Sequence, residues 1–241
     1  QGSLILPFPK TSDFQKILTK TVPFPKEVKS LAELAHGNSY ALWTLALDPQ
    51  QFSNHVIVFD IELYPVKNKT AGGFNLSDYK AQPLPPAGSH IAPEDPRIGA
   101  MAKEAAGNET NVIKILRRLQ DRVQSELDYG NPIPGLYSAK EALEKKTVDC
   151  GGFDSLLVSL CLALKIPARI VSGFWAGLPR RSEGKAGQKK GAAPLPGSGM
   201  HAWVEAVLPD GSLFPLDPSV EFLKKKGRSR RLGGFGELPS D

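Results

Sequence analysis

Cysteine is scarce in this sequence, with two residues among 241. Cys150 and Cys161 fall on one predicted helix, and the helical rise over that separation places them about 16 Å apart. A disulfide needs Cα atoms within roughly 7 Å of each other. The two cysteines therefore cannot pair, and they carry no information about the redox compartment.

Long apolar runs are also lacking. No segment reaches the roughly 20 apolar residues that a helix needs to span a bilayer, and no basic segment followed by an apolar one opens the chain. The sequence therefore predicts neither a membrane span nor a signal peptide in the residues given. Residues 1–3 fit either a processed mature end or a remnant of cloning, so localisation stays unknown, with export to the periplasm or beyond the cell left open.

The overall composition is that of a globular protein, with 41% hydrophobic and 23% charged residues. The formal net charge is +5, and a large part of the excess lies in one basic run, residues 224–231 (KKKGRSRR). We interpret this run as a solvated surface, with docking of an anionic partner as the alternative. No aromatic residues are interleaved with the basic ones, so we expect no nucleic-acid partner.

The first 90 residues have the character of a β-rich domain. Residues 40–47 and 55–64 are rich in aromatic and β-branched side chains, which favour strands. Gly72-Gly73 and the Pro-rich tract 82–96 follow, as in a loop and a linker. The sequence therefore predicts a β-rich N-terminal domain at 1–90 and a second domain at 91–241.

Helical patterns begin near that linker. Asp95 before Pro96 fits an N-cap with proline in the first turn, and Gly107 fits the end of this helix. A second helix is predicted from about Thr110. Residues 138–141 (SAKE) form a capping-box pattern that predicts a third.

The stretch 147–161, TVDCGGFDSLLVSLC, predicts a buried helix that begins near Cys150. Apolar residues recur at the spacing of one helical face, namely Phe153, Leu156, Leu157, Leu160, Cys161 and Leu164. Gly151 and Gly152 weaken the first turn by roughly 1 kcal/mol each relative to Ala. We infer that something approaches the backbone closely there, and that it is a carbonyl substrate whose developing oxyanion needs the nearby amides.

Pro167 ends this helical pattern. Residues 168–174 then predict a strand. Residues 176–199 carry many Gly, Pro, Lys and Arg without periodicity, which predicts a long mobile loop. Its position before the next motif suggests a flap over a cleft.

The segment 201–218, HAWVEAVLPDGSLFPLDP, predicts a β-hairpin with the three-residue loop 209–211. With Gly211 in the left-handed conformation, Leu208 pairs with Ser212. A slip of this register by one residue would exchange the two faces of the hairpin. The register is therefore a testable prediction.

This register places Trp203 opposite Asp217. One face of the hairpin is then apolar, with Val204, Ala206, Leu208, Phe214 and Leu216. His201 and Asp217 share the other face as diagonal neighbours, roughly 7–8 Å apart at the backbone. We expect their side chains to meet.

Cys150 lies where a nucleophile is readily activated. With Asp149 or Thr147 as the cap, its sulfur sits at a helix N-terminus, where free amides and the helix dipole favour thiolate over thiol. His201 is the one histidine of the second half, since the others are His36, His55 and His90. A histidine in reach would form an ion pair with the thiolate, and Asp217 would orient its ring and stabilise the imidazolium.

Two blocks, 149–175 (DCGGFDSLLVSLCLALKIPARIVSGFW) and 200–219 (MHAWVEAVLPDGSLFPLDPS), resemble the core of the transglutaminase-like superfamily, which has a papain-like Cys-His-Asp arrangement. The helices that end in ELDY at 126–129 extend the resemblance to roughly residues 91–238. It implies an α+β fold in which the nucleophile helix packs on an antiparallel sheet. The first 90 residues resemble the β-rich domain that often precedes this core in bacterial members.

The resemblance also implies roles for individual residues. By it, Cys150 is the nucleophile, His201 the general base and acid, and Asp217 the orienting carboxylate. The remaining candidates for the oxyanion site and the substrate cleft are Gly151, Gly152, Tyr129, Tyr137 and Trp203. The choice between the two tyrosines stays open. Carboxylate clusters that would bind calcium are lacking, so we expect no metal and no cofactor.

The resemblance does not determine which of several reactions this protein would catalyse. Members of the superfamily include amide-crosslinking acyltransferases, proteases, amidases and proteins without activity, and the active ones share an acyl-thioenzyme step. We favour hydrolysis of a peptide or side-chain amide in a protein or peptide substrate. The alternatives are crosslinking of protein glutamine to an amine, and a binding domain that keeps the fold without catalysis; the oligomeric state is not predicted.

Overall fold

The fold is that of a computed structural model, which describes residues 2–12, 14–24, 29–33, 37–46, 56–67, 73–80, 88–174, 200–229 and 233–238. The chain divides between Pro65 and Val66 into two compact units. This division precedes the boundary predicted near residue 90, because Phe74, Leu76 and Tyr79 pack against the core of the second unit. The domain limits 1–90 and 91–241 themselves stay a prediction.

The described part of the first unit is built from strands. They are β1 (Gly2–Pro7), β2 (Gln15–Phe24), β3 (Lys29–Glu33), β4 (Asn38–Leu45) and β5 (Val56–Leu63). Antiparallel pairing gives a sheet in the order β1-β4-β3 and a separate β2-β5 pair. Side chains alternate between the faces of a strand, and on β4 this buries Ala41 and Trp43. The strands predicted from aromatic and β-branched residues are thus present as β4 and β5.

Helices make up much of the described second unit. They are α1 (Pro96–Ala106), α2 (Val112–Glu126), α3 (Ala139–Lys145), α4 (Cys150–Ala163) and α5 (Pro218–Lys225). The predicted caps are in place, since Asp95 accepts a hydrogen bond from the Arg97 amide and Ser138 forms a reciprocal capping box with Glu141. Such caps contribute about 1 kcal/mol each. A helix start that depends on its own side chains is therefore predictable from the sequence.

The sheet that carries the hairpin consists of β9 (Ala168–Phe174), β10 (Met200–Val207) and β11 (Leu213–Leu216), in the order β11-β10-β9. The predicted hairpin register is confirmed. Val204 pairs with Leu216, and the Leu208 amide donates to the carbonyl of Ser212 at 2.8 Å. Gly211 has a φ of 84°, the left-handed conformation that the loop requires. All five residues of the predicted apolar face are buried.

Helix α4 occupies the centre of the second unit. It packs against the other four helices and strands β9 and β10, and every residue from Gly151 to Leu162 is buried. The predicted buried helix is therefore present, and burial extends beyond its apolar face to Asp154 and Ser155. Helices surrounded by other elements have no solvent-facing side to be polar. The mixed helices and antiparallel sheets give the α+β fold that was predicted.

The described part of the second unit also contains two short strand pairs. β6 (Val66–Lys67) pairs antiparallel with β12 (Glu237–Leu238), and β7 (Asp128–Tyr129) pairs parallel with β8 (Thr147–Val148). Because β8 ends two residues before Cys150, the second pair brings Tyr129 to the start of α4. This placement bears on the candidate site.

The basic run takes part in the tertiary structure. Lys224 Nζ donates to the carbonyl of Gly233 at 2.8 Å, and Lys225 Nζ lies 3.0 Å from a carboxylate oxygen of Asp121. Arg228 donates to the carbonyl of Tyr129 at 3.4 Å. These side chains remain largely exposed, as a solvated surface requires. Docking of an anionic partner stays a prediction.

Some predicted features lie outside the described residues. These are the loop 176–199, part of the linker at 82–87, the strand ends Leu47 and His55, and Arg230 and Arg231 of the basic run. Within the described ranges, no helix has both the length and the apolar character to cross a bilayer.

Candidate active site

His201 and Asp217 meet as the hairpin register predicts. His201 stands on β10, and Asp217 follows β11 as the N-cap of α5. The imidazole Nε2 lies 2.6 Å from Oδ2 of Asp217, and the side chains are 9% and 7% exposed. A carboxylate can only accept a hydrogen bond, so the contact assigns a proton to Nε2 and makes Nδ1 the basic nitrogen of the neutral ring.

The second oxygen of Asp217 is held by its own helix. Oδ1 accepts the amide of Val220 at 2.9 Å and the hydroxyl of Ser219 at 3.0 Å. One oxygen therefore caps α5 while the other orients the ring of His201. A side chain fixed at both oxygens leaves the imidazole little freedom to turn.

Cys150 is the first residue of α4 and is partly buried. Its sulfur takes part in a backbone hydrogen bond with Ala202, the residue after His201 on β10. The start of the helix is thus tied to the strand that carries the histidine. The structure therefore brings all three predicted catalytic residues into one region, although their catalytic roles stay a prediction.

The surroundings of the thiol oppose its ionisation. Burial, followed by the charge of Asp154, raises the pKa of Cys150 to about 12; the bond with Ala202 lowers it, and Asp149 and Asp217 raise it further. From the position of Cys150 at a helix N-terminus, the sequence predicts a lowered thiol pKa, which is the opposite direction. That prediction considers only the amides and the dipole of the helix, and it leaves out the burial of the thiol and the carboxyls of Asp154, Asp149 and Asp217. These surroundings therefore disfavour the thiolate of Cys150.

Asp149 stands at the N-cap position of α4 but does not cap the helix with its side chain. Its Oδ2 instead accepts the amide of Ile133 at 3.2 Å. Thr147, the other predicted cap, belongs to β8. Asp149 therefore fastens the loop before α3 to the start of α4.

The glycines after Cys150 are explained by packing within the chain. A Cβ on Gly151 would lie 2.5 Å from Cδ2 of Leu136, and one on Gly152 would lie 2.5 Å from Cγ2 of Val148. Real Cβ atoms do not approach other heavy atoms so closely. The predicted close approach is thus present, but its partners are side chains of this protein, and no substrate is needed to account for it. That the amides of Gly151 and Gly152 serve an oxyanion stays a prediction.

The two tyrosine candidates differ in what holds their hydroxyls. Tyr137 is buried and donates to the carbonyl of Asn131 at 2.7 Å, which gives it a structural role. Tyr129 is half-buried, and burial, followed by the nearby Cys150, raises the pKa of its phenol to about 12. Of the two, Tyr129 is therefore the one with its hydroxyl in the electrostatic surroundings of the thiol.

Trp203 lies on the same face of β10 as His201. The two rings are stacked, with centroids 6.4 Å apart and planes inclined by 24°. A Cβ on Gly173, which pairs with His201 across the sheet, would come within 3.1 Å of the Trp203 ring. The indole therefore packs between the imidazole and the neighbouring strand, beside the candidate site.

Asp154 is the residue that sequence reasoning missed. It lies one helical turn after Cys150 and is fully buried, and in its ionised form it raises the pKa of the thiol. The sequence offers a hint in a single acidic residue amid an apolar helix. In the described part of the chain, this residue and its acidic neighbours do not form a group that could hold a metal ion.

Comparisons with known proteins agree with this architecture. Residues 99–218 match the model of the transglutaminase-like superfamily. A solved structure of a candidate cysteine protease from Cytophaga hutchinsonii has a TM-score of 0.61 at 16% identity, covering 90% of this chain and 71% of that one. The periplasmic domain of TgpA from Pseudomonas aeruginosa bound to ethylmercury has a TM-score of 0.48 at 14% identity, covering 94% of this chain and 74% of that one. Among curated proteins, none matches this chain at a significant level.

The matched range contains Cys150, His201 and Asp217, and runs from α1 to the start of α5. At 16% identity, the likeness to the Cytophaga structure shows the fold alone. Fold and family match point the same way. The chain, through residues 99–218, belongs to the transglutaminase-like superfamily.

Proposed function

We propose that this protein is a thiol hydrolase that cleaves a peptide or side-chain amide through an acyl-thioenzyme intermediate. The observation that carries the proposal is the buried contact of 2.6 Å between His201 Nε2 and Asp217 Oδ2. The amino acid after His201 also bonds the sulfur of Cys150 through its backbone. Nucleophile, base and orienting acid are the three groups that such a reaction needs.

The geometry supports a general-base start to the reaction. Because the pKa of the Cys150 thiol is raised to about 12, a standing thiolate is disfavoured, and the proton has to leave as the sulfur attacks. Nδ1 of His201 takes that proton, and Asp217 stabilises the imidazolium that results. The imidazolium then gives its proton to the leaving amine as the carbon–nitrogen bond breaks. An acyl group remains on Cys150 as a thioester.

Release of the acyl group follows the same route in reverse. His201 removes a proton from water, the hydroxide attacks the thioester carbonyl, and the sulfur leaves with that proton. A carboxylic acid is the product. An amine in place of water would give a new amide, which is the crosslinking alternative.

The developing oxyanion requires donors beside the thiol. Among the backbone amides at the start of α4, those of Cys150 and Gly151 are candidates because the first amides of a helix lack partners within it. The amide of Gly152, a further candidate from the sequence, is less suited because it already donates to the carbonyl of Asp149 at 3.2 Å. Tyr129 is the side-chain candidate, since its raised pKa keeps the phenol protonated as a donor. Tyr137 is less suited because its hydroxyl already donates to Asn131.

One experiment separates the possible reactions. The protein is incubated with a peptide library, with and without a primary amine, and the products are identified by mass. Hydrolysis gives cleaved or deamidated peptides in both samples, whereas crosslinking gives amine adducts only in the second. We expect cleaved or deamidated peptides, none of them formed by Cys150→Ser.

A binding domain without catalysis is favoured by one observation, the burial and raised pKa of the thiol. If the protein is such a domain, the wild type and the Cys150→Ser variant should bind a peptide equally well. Neither of them should release a product. Binding and turnover measured on the same peptide therefore distinguish the two functions.

A further inference from the structure

Asp154 is an acid in an unusual place. It follows Cys150 by four residues on α4, so the two side chains lie on one face of the helix, a turn apart. Its side chain has no exposed surface, and neither carboxylate oxygen has a hydrogen-bond partner within the described residues. Buried polar groups in proteins are nearly always paired. Packing alone therefore does not account for an acid at this position.

The titratable groups that face Asp154 are mainly acidic. Asp149 precedes α4 and Asp217 begins α5, and the charges of both act on Asp154. An ionised Asp154 would in turn raise the pKa of the Cys150 thiol and of the phenol of Tyr129, which comes from β7. The group is thus a cluster of three carboxyls around one thiol.

Cations are scarce around this cluster. The buried polar and charged side chains of the described ranges include neither Lys nor Arg, and their one histidine, His201, is bonded to Asp217. The neighbouring helices α2 and α5 contribute neutral buried polar groups, namely Gln120, Gln124 and Ser219. The buried side chains from α1, α3, β8 and β9 are apolar, and β10 adds Glu205, an acid that is paired with Arg169. An ionised Asp154 would therefore have no counter-ion among the buried side chains of the described residues.

A buried carboxyl without a counter-ion takes up a proton instead of keeping its charge. Burial, followed by Asp217 and Asp149, holds the pKa of Asp154 well above its ordinary value of 3.8. The lack of a paired cation and the raised pKa of Asp154 lead to the same conclusion, a protonated carboxyl.

We propose that Asp154 is a positioning residue of the candidate active site: it carries a proton in the folded protein and so keeps a third negative charge away from the Cys150 thiol. The catalytic meaning of this assignment rests on the proposed function, since Asp154 acts through Cys150 and touches no substrate. With Asp154 neutral, the thiol proton leaves in the presence of two carboxylates, one of them bonded to His201. With Asp154 ionised, the same step has to overcome three.

Stability against pH tests the proton directly. Asp154→Asn is the matched variant, because an amide has the size of a carboxyl and no charge. Below pH 3.8 the carboxyl is protonated in the folded and the unfolded chain alike. Above that pH the unfolded chain releases this proton and the folded chain keeps it, so the wild type loses stability relative to the variant until the pH reaches the pKa of the folded state.

Chemical unfolding of the full chain between pH 4.5 and pH 8 measures this difference. We expect the ratio of folding constants, Asp154→Asn over wild type, to rise by up to about tenfold per pH unit. A ratio that stays constant over the range would mean that Asp154 titrates alike in both states, and would overturn the proposal. The control is Ser155→Ala, which removes a buried unpartnered hydroxyl from the next residue and no charge. If its ratio to wild type rises equally, the slope does not come from Asp154 and the proposal fails.

Alkylation of Cys150 by iodoacetamide, measured by mass spectrometry, tests whether Asp154 affects the thiol. At pH 7 we expect wild type and Asp154→Asn to react within about threefold of each other, because Asp154 is neutral in one and absent in the other. Above the pH at which the stability ratio stops rising, Asp154 is ionised, and there we expect the wild type to lag more than threefold, because an ionised Asp154 raises the pKa of the thiol. A variant more than threefold faster at pH 7 would show a charged Asp154 there, and coincident profiles above the pH of that plateau would show no action on the thiol. Either result overturns the proposal.

These measurements need no substrate, so the two proposals can fail separately. If the wild type hydrolyses no amide but the stability ratio rises with pH, the proposed function is wrong and the protonated Asp154 stands. If amides are hydrolysed and the stability ratio does not change with pH, the proposed function stands and the protonated Asp154 is wrong.

Discussion

The carboxylate of Asp217 serves His201 and α5 at the same time. Its Oδ2 lies 2.6 Å from the imidazole, and its Oδ1 accepts the Val220 amide at 2.9 Å. The residue that orients the candidate base is thus also a helix cap. Its replacement can therefore separate an effect on chemistry from an effect on folding.

Asp217→Asn should lose activity while the fold persists. If the amide oxygen keeps the Val220 amide, the amide nitrogen faces His201 and selects the tautomer that cannot take a proton from the thiol. We expect kcat/KM to fall by roughly 1,000-fold or more, with less than about 1 kcal/mol of lost stability. Peptide turnover and thermal unfolding measure the two effects.

Asp217→Ala and Ser219→Ala complete this series. The alanine at 217 removes the cap as well, so it should cost about 1 kcal/mol more stability than the asparagine. Ser219→Ala removes only the 3.0 Å bond to Oδ1 and should keep most of the activity. Retention of more than a tenth of wild-type kcat/KM by Asp217→Asn would contradict the orienting role.

Cys150→Ser should abolish acyl transfer and leave the fold intact. The two side chains have nearly the same volume, but the hydroxyl is a far weaker nucleophile than the thiol when His201 takes its proton. We expect turnover to fall by orders of magnitude with a Tm within a few degrees of wild type. The matched control is Cys161→Ala, which changes the buried cysteine of the same helix and should lower stability by about 1 kcal/mol without loss of turnover. Full activity in Cys150→Ser would make the nucleophile assignment wrong.

Alanine at the glycines of α4 should destabilise the protein. A Cβ on Gly152 would lie 2.6 Å from Cβ of Val148, which the backbone anchors, so we expect a loss of about 1–3 kcal/mol. Gly151→Ala should cost less, because its closest contact, Cδ2 of Leu136, is the end of a flexible side chain. Chemical unfolding measures both.

Gly99→Ala on α1 is the control for helix propensity. Nothing lies within 4 Å of a Cβ added there, and alanine is the better helix former by about 1 kcal/mol, so this variant should be more stable than wild type. If Gly152→Ala also gained stability, close packing would not be the reason for the glycine.

The two cysteines should differ in their reaction with iodoacetamide. Burial is the largest of the effects that raise the pKa of Cys150 to about 12, so its labelling should rise by up to about tenfold per pH unit between pH 7 and pH 9 without a plateau. Cys161 has no exposed surface and should stay unlabelled until the chain unfolds. A plateau for Cys150 below pH 7 would instead indicate a standing thiolate–imidazolium pair.

Part of the candidate site follows from the sequence because its geometry is local. The loop Pro209-Asp210-Gly211 and the two-residue period of strands determine the hairpin register, and the register brings His201 to Asp217. The starts of α1 and α3 are likewise predictable, since Asp95 and Ser138 satisfy amides within their own turns. Such features depend on residues a few positions apart.

The burial of Cys150 was decided by tertiary structure alone. Its place at a helix N-terminus predicts a lowered thiol pKa, but burial and the charges of Asp154, Asp149 and Asp217 raise the pKa to about 12. Likewise, only packing shows that Leu136 and Val148 require Gly151 and Gly152. Asp149, Asp154 and Val148 are close in sequence, but the burial of the thiol, the approach of Asp217 and the contact with Leu136 come from elements that the chain brings together from distant positions. Neither the direction of the thiol pKa shift nor the close packing at Gly151 could therefore be obtained from local patterns.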